Sequence, residues 1–156
     1  MMMMRSALRT VAGGLLAVLA ATTVAAAQSD TRLIEAVKRS DRKALNVLAR
    51  TVNVNDAEAD GTTPLHWAVR NGDVETVKLL LERGANATAR NRYGVTPLAL
   101  AATNGDAQTI ARLLAAGADP NTVVTERQTV LIIAARTGRP EAIEVLVAAG
   151  ANVNAK

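Results

Sequence analysis

His66 is the single imidazole of this chain, and no cysteine accompanies it. Acid–base catalysis by an imidazole needs a nucleophile beside it and a carboxylate to orient it. A zinc site needs three or four converging side chains of the His, Cys and carboxylate kind. The run Thr62-Thr63-Pro64-Leu65-His66-Trp67 supplies neither, so the ring is expected to be structural. The acidic run Asp56-Ala57-Glu58-Ala59-Asp60 raises the question of calcium, but it lacks the full ligand set and the closing bidentate Glu of a calcium loop. It reads as a solvated loop tip. No glycine-rich phosphate loop is recognisable, and no metal or cofactor is expected. An enzyme is not the expected reading; it would require His66→Ala to abolish an activity rather than lower a melting temperature. What remains is the chemistry of recognition. Tyr93 stands beside Gly94 in a polar stretch, where an exposed aromatic with a polar end makes an interface anchor.

These residues sit in a chain that repeats itself. Gly72, Gly105 and Gly138 recur every 33 residues, as do Gly84, Gly117 and Gly150, and Thr63, Thr96 and Thr129. Such a period marks a solenoid, whose units bury their apolar faces only against neighbouring units. Within one unit, Thr63 is expected to cap a short helix with Pro64 at its first position, where the missing N–H costs nothing. Gly72 ends that helix in a left-handed conformation. Asp73 then caps a second helix over Val74–Glu82, whose Val74, Val77, Leu80 and Leu81 form an apolar stripe. Trp67, at the position of Leu100 and Ile133, is expected to be core packing.

Thr63-Pro64-Leu65-His66, Gly84-Ala85-Asn86, Thr96-Pro97-Leu98-Ala99, Gly117-Ala118-Asp119-Pro120-Asn121 and Gly150-Ala151-Asn152-Val153-Asn154 together resemble the ankyrin repeat. The resemblance covers residues 31–156 and implies an all-α solenoid of about four repeats. Paired antiparallel helices would form its body, and β-hairpin-like loops would project toward a concave face. The expected divisions are 28–60 for an N-terminal capping repeat, 61–93 and 94–126 for two regular repeats, and 127–156 for a divergent one. In the first, Ser40 replaces the turn glycine, and Lys38, Arg39, Arg42 and Lys43 give a solvent-facing cap its polarity. In the last, Arg127 stands where Gly61 and Gly94 stand, so a regular hairpin over Val123–Gln128 is not expected. The resemblance also implies that His66 bonds the Thr63 hydroxyl and the backbone of the next loop. It places partner contacts at the loop tips, Arg90, Arg92 and Tyr93, and on the inner helices at Arg70, Asn71, Thr103, Asn104, Arg136 and Thr137. The implied partner is a protein.

Residues 1–27 read differently. Arg5 and Arg9 precede an apolar run, Val11 to Ala21, and Val24-Ala25-Ala26-Ala27 follows. That is the pattern of a secretory signal peptide, with the cut after Ala27 and Ala26 as the alternative. The stretch is short and Ala-rich for a spanning helix, for which about 20 strongly apolar residues are needed. Export to a bacterial periplasm or beyond is expected, with no membrane attachment once the leader is removed; a retained leader acting as an anchor is the alternative. Without the leader's two arginines the net charge falls from +4 to +2, too little for a nucleic-acid partner. Leu131, Ile133, Ile143, Val145 and Val147 belong to a last layer expected to lack a cover, which raises self-association as a further possibility.

Overall fold

The computed structural model describes residues 30–125 and 128–155. The expected leader, its Ala27 cleavage site, Glu126 and Arg127 lie outside the described residues. Among the described residues eight helices follow in order: α1 (Arg32–Lys38), α2 (Arg42–Thr51), α3 (Pro64–Arg70), α4 (Val74–Glu82), α5 (Pro97–Asn104), α6 (Ala107–Ala115), α7 (Val130–Arg136) and α8 (Pro140–Ala148). One short hairpin, β1 (Val123–Thr125) with β2 (Gln128–Thr129), precedes α7. Successive pairs are layers of a stack. The inner row is α1, α3, α5 and α7, the outer row α2, α4, α6 and α8, and each helix packs on its counterpart in the next layer.

Local chemistry sets the helix boundaries. Thr63, Thr96 and Thr129 each accept the amide three residues on, and Pro64 and Pro97 follow directly. Asp41, Asp73 and Asp106 do the same for the outer helices. Arg139 occupies that place in the last layer and caps nothing with its side chain. Gly72, Gly105 and Gly138 turn inner helix into outer helix with φ of 67°, 65° and 68°. Ser40 is forced into the same left-handed conformation, at φ 53°, in the first layer. A Cβ there carries a strain of about 1 kcal/mol. Ser40→Gly is therefore expected to raise the unfolding free energy by about 1 kcal/mol in urea titration, and a loss of stability would contradict that assignment.

The core is a column of small and branched side chains. Leu33 and Val37, Leu65 and Val69, Leu98 and Ala102, then Val130 and Ala134 fill it from the inner row. Leu45, Val77, Leu80, Ile110, Leu113 and Leu146 fill it from the outer row. Alanines let the helix axes approach closely, so thin layers still exclude water.

Side chains also bolt layer to layer. Asn55 donates to the Gly84 carbonyl at 3.0 Å and accepts the Asn86 amide at 2.7 Å. Asn121 treats Gly150 and Asn152 identically, at 3.2 and 2.7 Å. Midway in the period stands Thr88, whose hydroxyl turns back to Asn86. There the second and third loops are parted by a cleft of about 310 Å3. Thr88→Asn is expected to supply the missing bridge to the Gly117 loop and to add about 1 kcal/mol, read as a rise in urea midpoint.

The third loop differs from the first two, and its hairpin is irregular. Val123 pairs with Thr129 and Thr125 with Gln128 in an antiparallel ladder, with a register irregularity between them. The β-branched run Val123-Val124-Thr125 favours extended backbone, and this preference outweighs the missing glycine. By contrast, the first two loops are held by pairs of turn bonds, Glu58 N to Thr62 O at 3.0 Å with Gly61 N to Glu58 O at 2.8 Å, and Asn91 N to Val95 O at 3.1 Å with Gly94 N to Asn91 O at 2.9 Å.

Candidate functional site on the concave face

His66 is buried and works as a three-way joint. Its Nδ1 lies 2.8 Å from the Thr63 hydroxyl and accepts the Thr63 amide at 3.2 Å. Its Nε2 lies 3.1 Å from the Val95 carbonyl of the next loop. A ring that accepts at Nδ1 and faces a carbonyl at Nε2 must be the neutral Nε2–H tautomer. Burial accordingly holds its pKa below the ordinary imidazole value, against the opposing pull of the Val95 carbonyl. The hydroxyl beside it, that of Thr63, is buried and caps α3, and among the described residues no group of three metal-ligating side chains is present.

The face beside this joint carries an apolar ladder. Trp67, Leu100 and Ile133 are half-buried, one above the other, rather than in the core. Trp67 was expected as core packing; it does pack against the core, but it is only partly buried and its ring carries charge. Its indole N–H donates to Glu58 at 2.8 Å. Lys38 lies 4.6 Å from the ring centroid and Arg70 5.4 Å. Lys38 is paired with Glu58 at 2.7 Å and with Glu35 at 3.3 Å. Those hydrogen bonds, Glu58's foremost, hold its pKa above the ordinary lysine value. Lys38 therefore faces the groove instead of serving as a solvent-facing cap charge. Glu58 is likewise not a free loop tip. Asp56 accepts the Asp30 amide and the Asn53 side chain, and Asp60 accepts the Thr62 amide, so the acidic run is spent on separate protein donors.

The nine residues singled out for partner contact fall into four settings. Arg70, Thr103 and Arg136 are exposed on the inner helices, with Arg92 and Tyr93 exposed at the second loop tip. Arg92 stacks on Tyr93 at 5.2 Å from the ring centroid, donates to its hydroxyl at 2.9 Å, and ties its backbone amide to the Asp60 carbonyl. Asn71 and Asn104 reach back to the previous layer, donating to the Val37 and Val69 carbonyls at 3.3 and 2.8 Å. Thr137, lacking an amide, bonds within its own helix to the Ala134 carbonyl. Arg90 donates to the Gly94 and Val123 carbonyls and so braces the second loop against the third.

Two hollows open along the groove. One of about 260 Å3 lies among Trp67, Arg70, Tyr93, Val95, Leu100 and Asp60. The other, about 600 Å3 and wider, lies among Thr103, Asn104, Gln128, Ile133, Arg136, Thr137 and Arg139. The sequence reading missed Trp67 as a groove residue, although Trp67 and Arg70 stand three apart on one helix and must share a face. The same spacing joins Leu100 to Thr103 and Ile133 to Arg136. Arg139 was missed because its place in the period belongs to a capping aspartate.

A family model described as ankyrin repeats (3 copies) matches residues 14–124 and again 88–156. The chain belongs to the ankyrin-repeat family. It is 40% identical over 63 residues to Notch-regulated ankyrin repeat-containing protein A of Danio rerio, covering 37% of this chain and 56% of that protein. Against the Homo sapiens Notch-regulated ankyrin repeat-containing protein it is 34% identical over 76 residues, covering 46% and 67% respectively. Potassium channel AKT1 of Oryza sativa subsp. indica is 48% identical over 52 residues, which are 33% of this chain and 6% of the channel. The chain thus spans a small fraction of the channel and little more than half of the zebrafish protein. Ankyrin repeats imply a protein-interaction module whose partner is a protein.

Proposed function

We propose that this chain is an exported module that binds a partner protein in the concave groove and with the tip of its second loop. The observation that carries this reading is the half-buried ladder of Trp67, Leu100 and Ile133, open on one side and flanked by Arg70 and Arg136. Apolar surface rimmed by polar groups is what a soluble protein leaves open where something docks. Arg5, Arg9 and the small-residue stretch ending at Ala27 support export to a bacterial periplasm or beyond. A mature mass starting at Gln28 or Ala27 is the expected result for exported protein, and an intact leader would turn the reading toward a membrane-tethered adaptor. Among the described residues no helix is long and apolar enough to cross a membrane. Affinity capture from the exported fraction tests the face itself. The wild type should recover a partner that the Arg70→Ala/Arg92→Ala/Tyr93→Ala variant loses, and equal recovery would discredit it.

A second reading has its own support. In the last layer Val147 is 41% exposed, with Leu131, Ile143 and Val145 half-buried beside it. That face would suit a second copy of the chain, making the protein a self-associating structural module. Light scattering decides the point: a strict monomer at high concentration rules self-association out.

A further inference from the structure

We propose that the groove recognises an extended acidic segment of its protein partner, seating an apolar side chain between Trp67 and Leu100 while flanking carboxylates pair with Arg70 and Arg136. This rests on the concave-face reading and adds the chemistry of the ligand.

The size of the inner hollow is the first argument. About 260 Å3 accommodates one apolar side chain and falls short of the roughly 300–1,000 Å3 typical of small-molecule sites. Trp67, Tyr93, Val95 and Leu100 give it apolar or aromatic walls, and Asp60, Thr62, His66, Arg70 and Asn91 complete the lining.

Charge is the second. Two aromatic rings around a hollow ordinarily suit a cation. Here both rings already carry one: Lys38 and Arg70 lie over Trp67, and Arg92 lies over Tyr93. Lys38 is answered by Glu35 and Glu58. Among the described residues no carboxylate comes within ion-pair distance of Arg70, Arg92, Arg136 or Arg139. Asp60 is the one carboxylate lining the inner hollow, and its charge faces Arg92. The outer hollow holds Arg136 and Arg139 beside Ile133, with no carboxylate in its lining among the described residues. Each hollow therefore sets an apolar side chain, Trp67 and Leu100 in one and Ile133 in the other, beside an arginine that no carboxylate reaches within ion-pair distance among the described residues. A nucleic acid is a poorer match, because in the first layer the positive charge is already answered, Lys38 by Glu35 and Glu58 and Arg39 by Glu35, where a phosphate chain would have to continue.

The layer spacing sets the register. Arg70 and Arg136 stand two layers apart, with the uncharged Thr103 between them. Helices pack 8–10 Å apart, so the two guanidinium groups are separated by roughly 20 Å. An extended chain covers that distance in about six residues.

Trp67 is the only tryptophan of the chain, so its emission reports on the hollow directly. The test titrates the full chain with three synthetic 12-residue peptides carrying a central Leu. In these, the two positions six residues apart hold Glu, Gln or Lys. The Glu peptide is expected to shift Trp67 emission and to bind at least about fivefold tighter than the Gln peptide, with the preference shrinking as salt rises. The Lys peptide should bind weakest. Arg70→Gln/Arg136→Gln should erase the preference for Glu while leaving the helical spectrum unchanged and the melting temperature within a few degrees, since both side chains are exposed and only the Arg70 contact with the Trp67 ring is lost. Equal binding of the Glu and Gln peptides, preference for Lys, no emission change with any peptide, or a preference that survives in the double variant would each overturn the proposal. The concave-face reading fails separately, when capture of the partner is indifferent to Arg70, Arg92 and Tyr93.

Discussion

Truncating Leu80 to alanine is expected to lower the unfolding free energy by about 3 kcal/mol and the melting temperature by about 10 °C. Leu80 is fully buried in α4. Its backbone carbonyl also receives the Arg83 and Ala85 amides that close the helix. In a globular domain a cavity at such a site is shared among many neighbours. In a stack each layer touches only the layers beside it, so a void in the second layer weakens the coupling of the first layer to the other two. Urea titration followed by circular dichroism reads the loss. Val47→Ala on the outer row, where the side chain is 62% exposed, should stay within about 0.5 kcal/mol. A Leu80→Ala cost as small as that of Val47→Ala would mean that the layers do not carry the stability.

His66→Ala is the second large effect, with a cost of about 2–3 kcal/mol. The substitution leaves the buried Thr63 amide without its partner and takes from the Val95 carbonyl its bond to Nε2, leaving that carbonyl only the Asn91 amide; an unpaired buried donor costs more than a lost surface bond. The same joint makes the fold acid-sensitive. Because burial lowers the His66 pKa in the folded chain, the unfolded chain binds the proton more readily. The contribution is complete above the ordinary imidazole value of about 6.5 and is lost as pH falls through the lower folded value. Nδ1 accepts the Thr63 N–H, so a proton there must break that bond. Stability measured from pH 7.5 downward should therefore fall below about pH 6.5 in the wild type, and less steeply in His66→Ala. Identical pH profiles for the two proteins would remove His66 from the joint.

The sequence made some of this legible and concealed the rest for physical reasons. Thr63-Pro64, Asp73 and Gly72 announce helix starts and stops because capping is local chemistry, complete within four residues. His66 was readable because its pattern brought an expectation with it. Trp67 was misplaced for the opposite reason. Helical spacing shows that Leu65, Ala68 and Val69 share a face, but not which flank of that face the next layer covers. Asn55 and Asn121 bridge loops through backbone groups 29 to 31 residues away. Backbone partners leave no trace in residue types. Glu58 looked like a solvated tip because its two partners, Lys38 and Trp67, lie on different layers. The ladder in the third loop was concealed because the glycine it lacks argued more loudly than the β-branched residues it has.

A photo-crosslinking side chain installed at position 67, and separately at Glu82 on the exposed outer row, compares the two faces within the same exported fraction. Adducts with a partner protein from position 67 and none from position 82 are expected. Adducts from position 82 alone, or equally from both, would place recognition elsewhere than the groove.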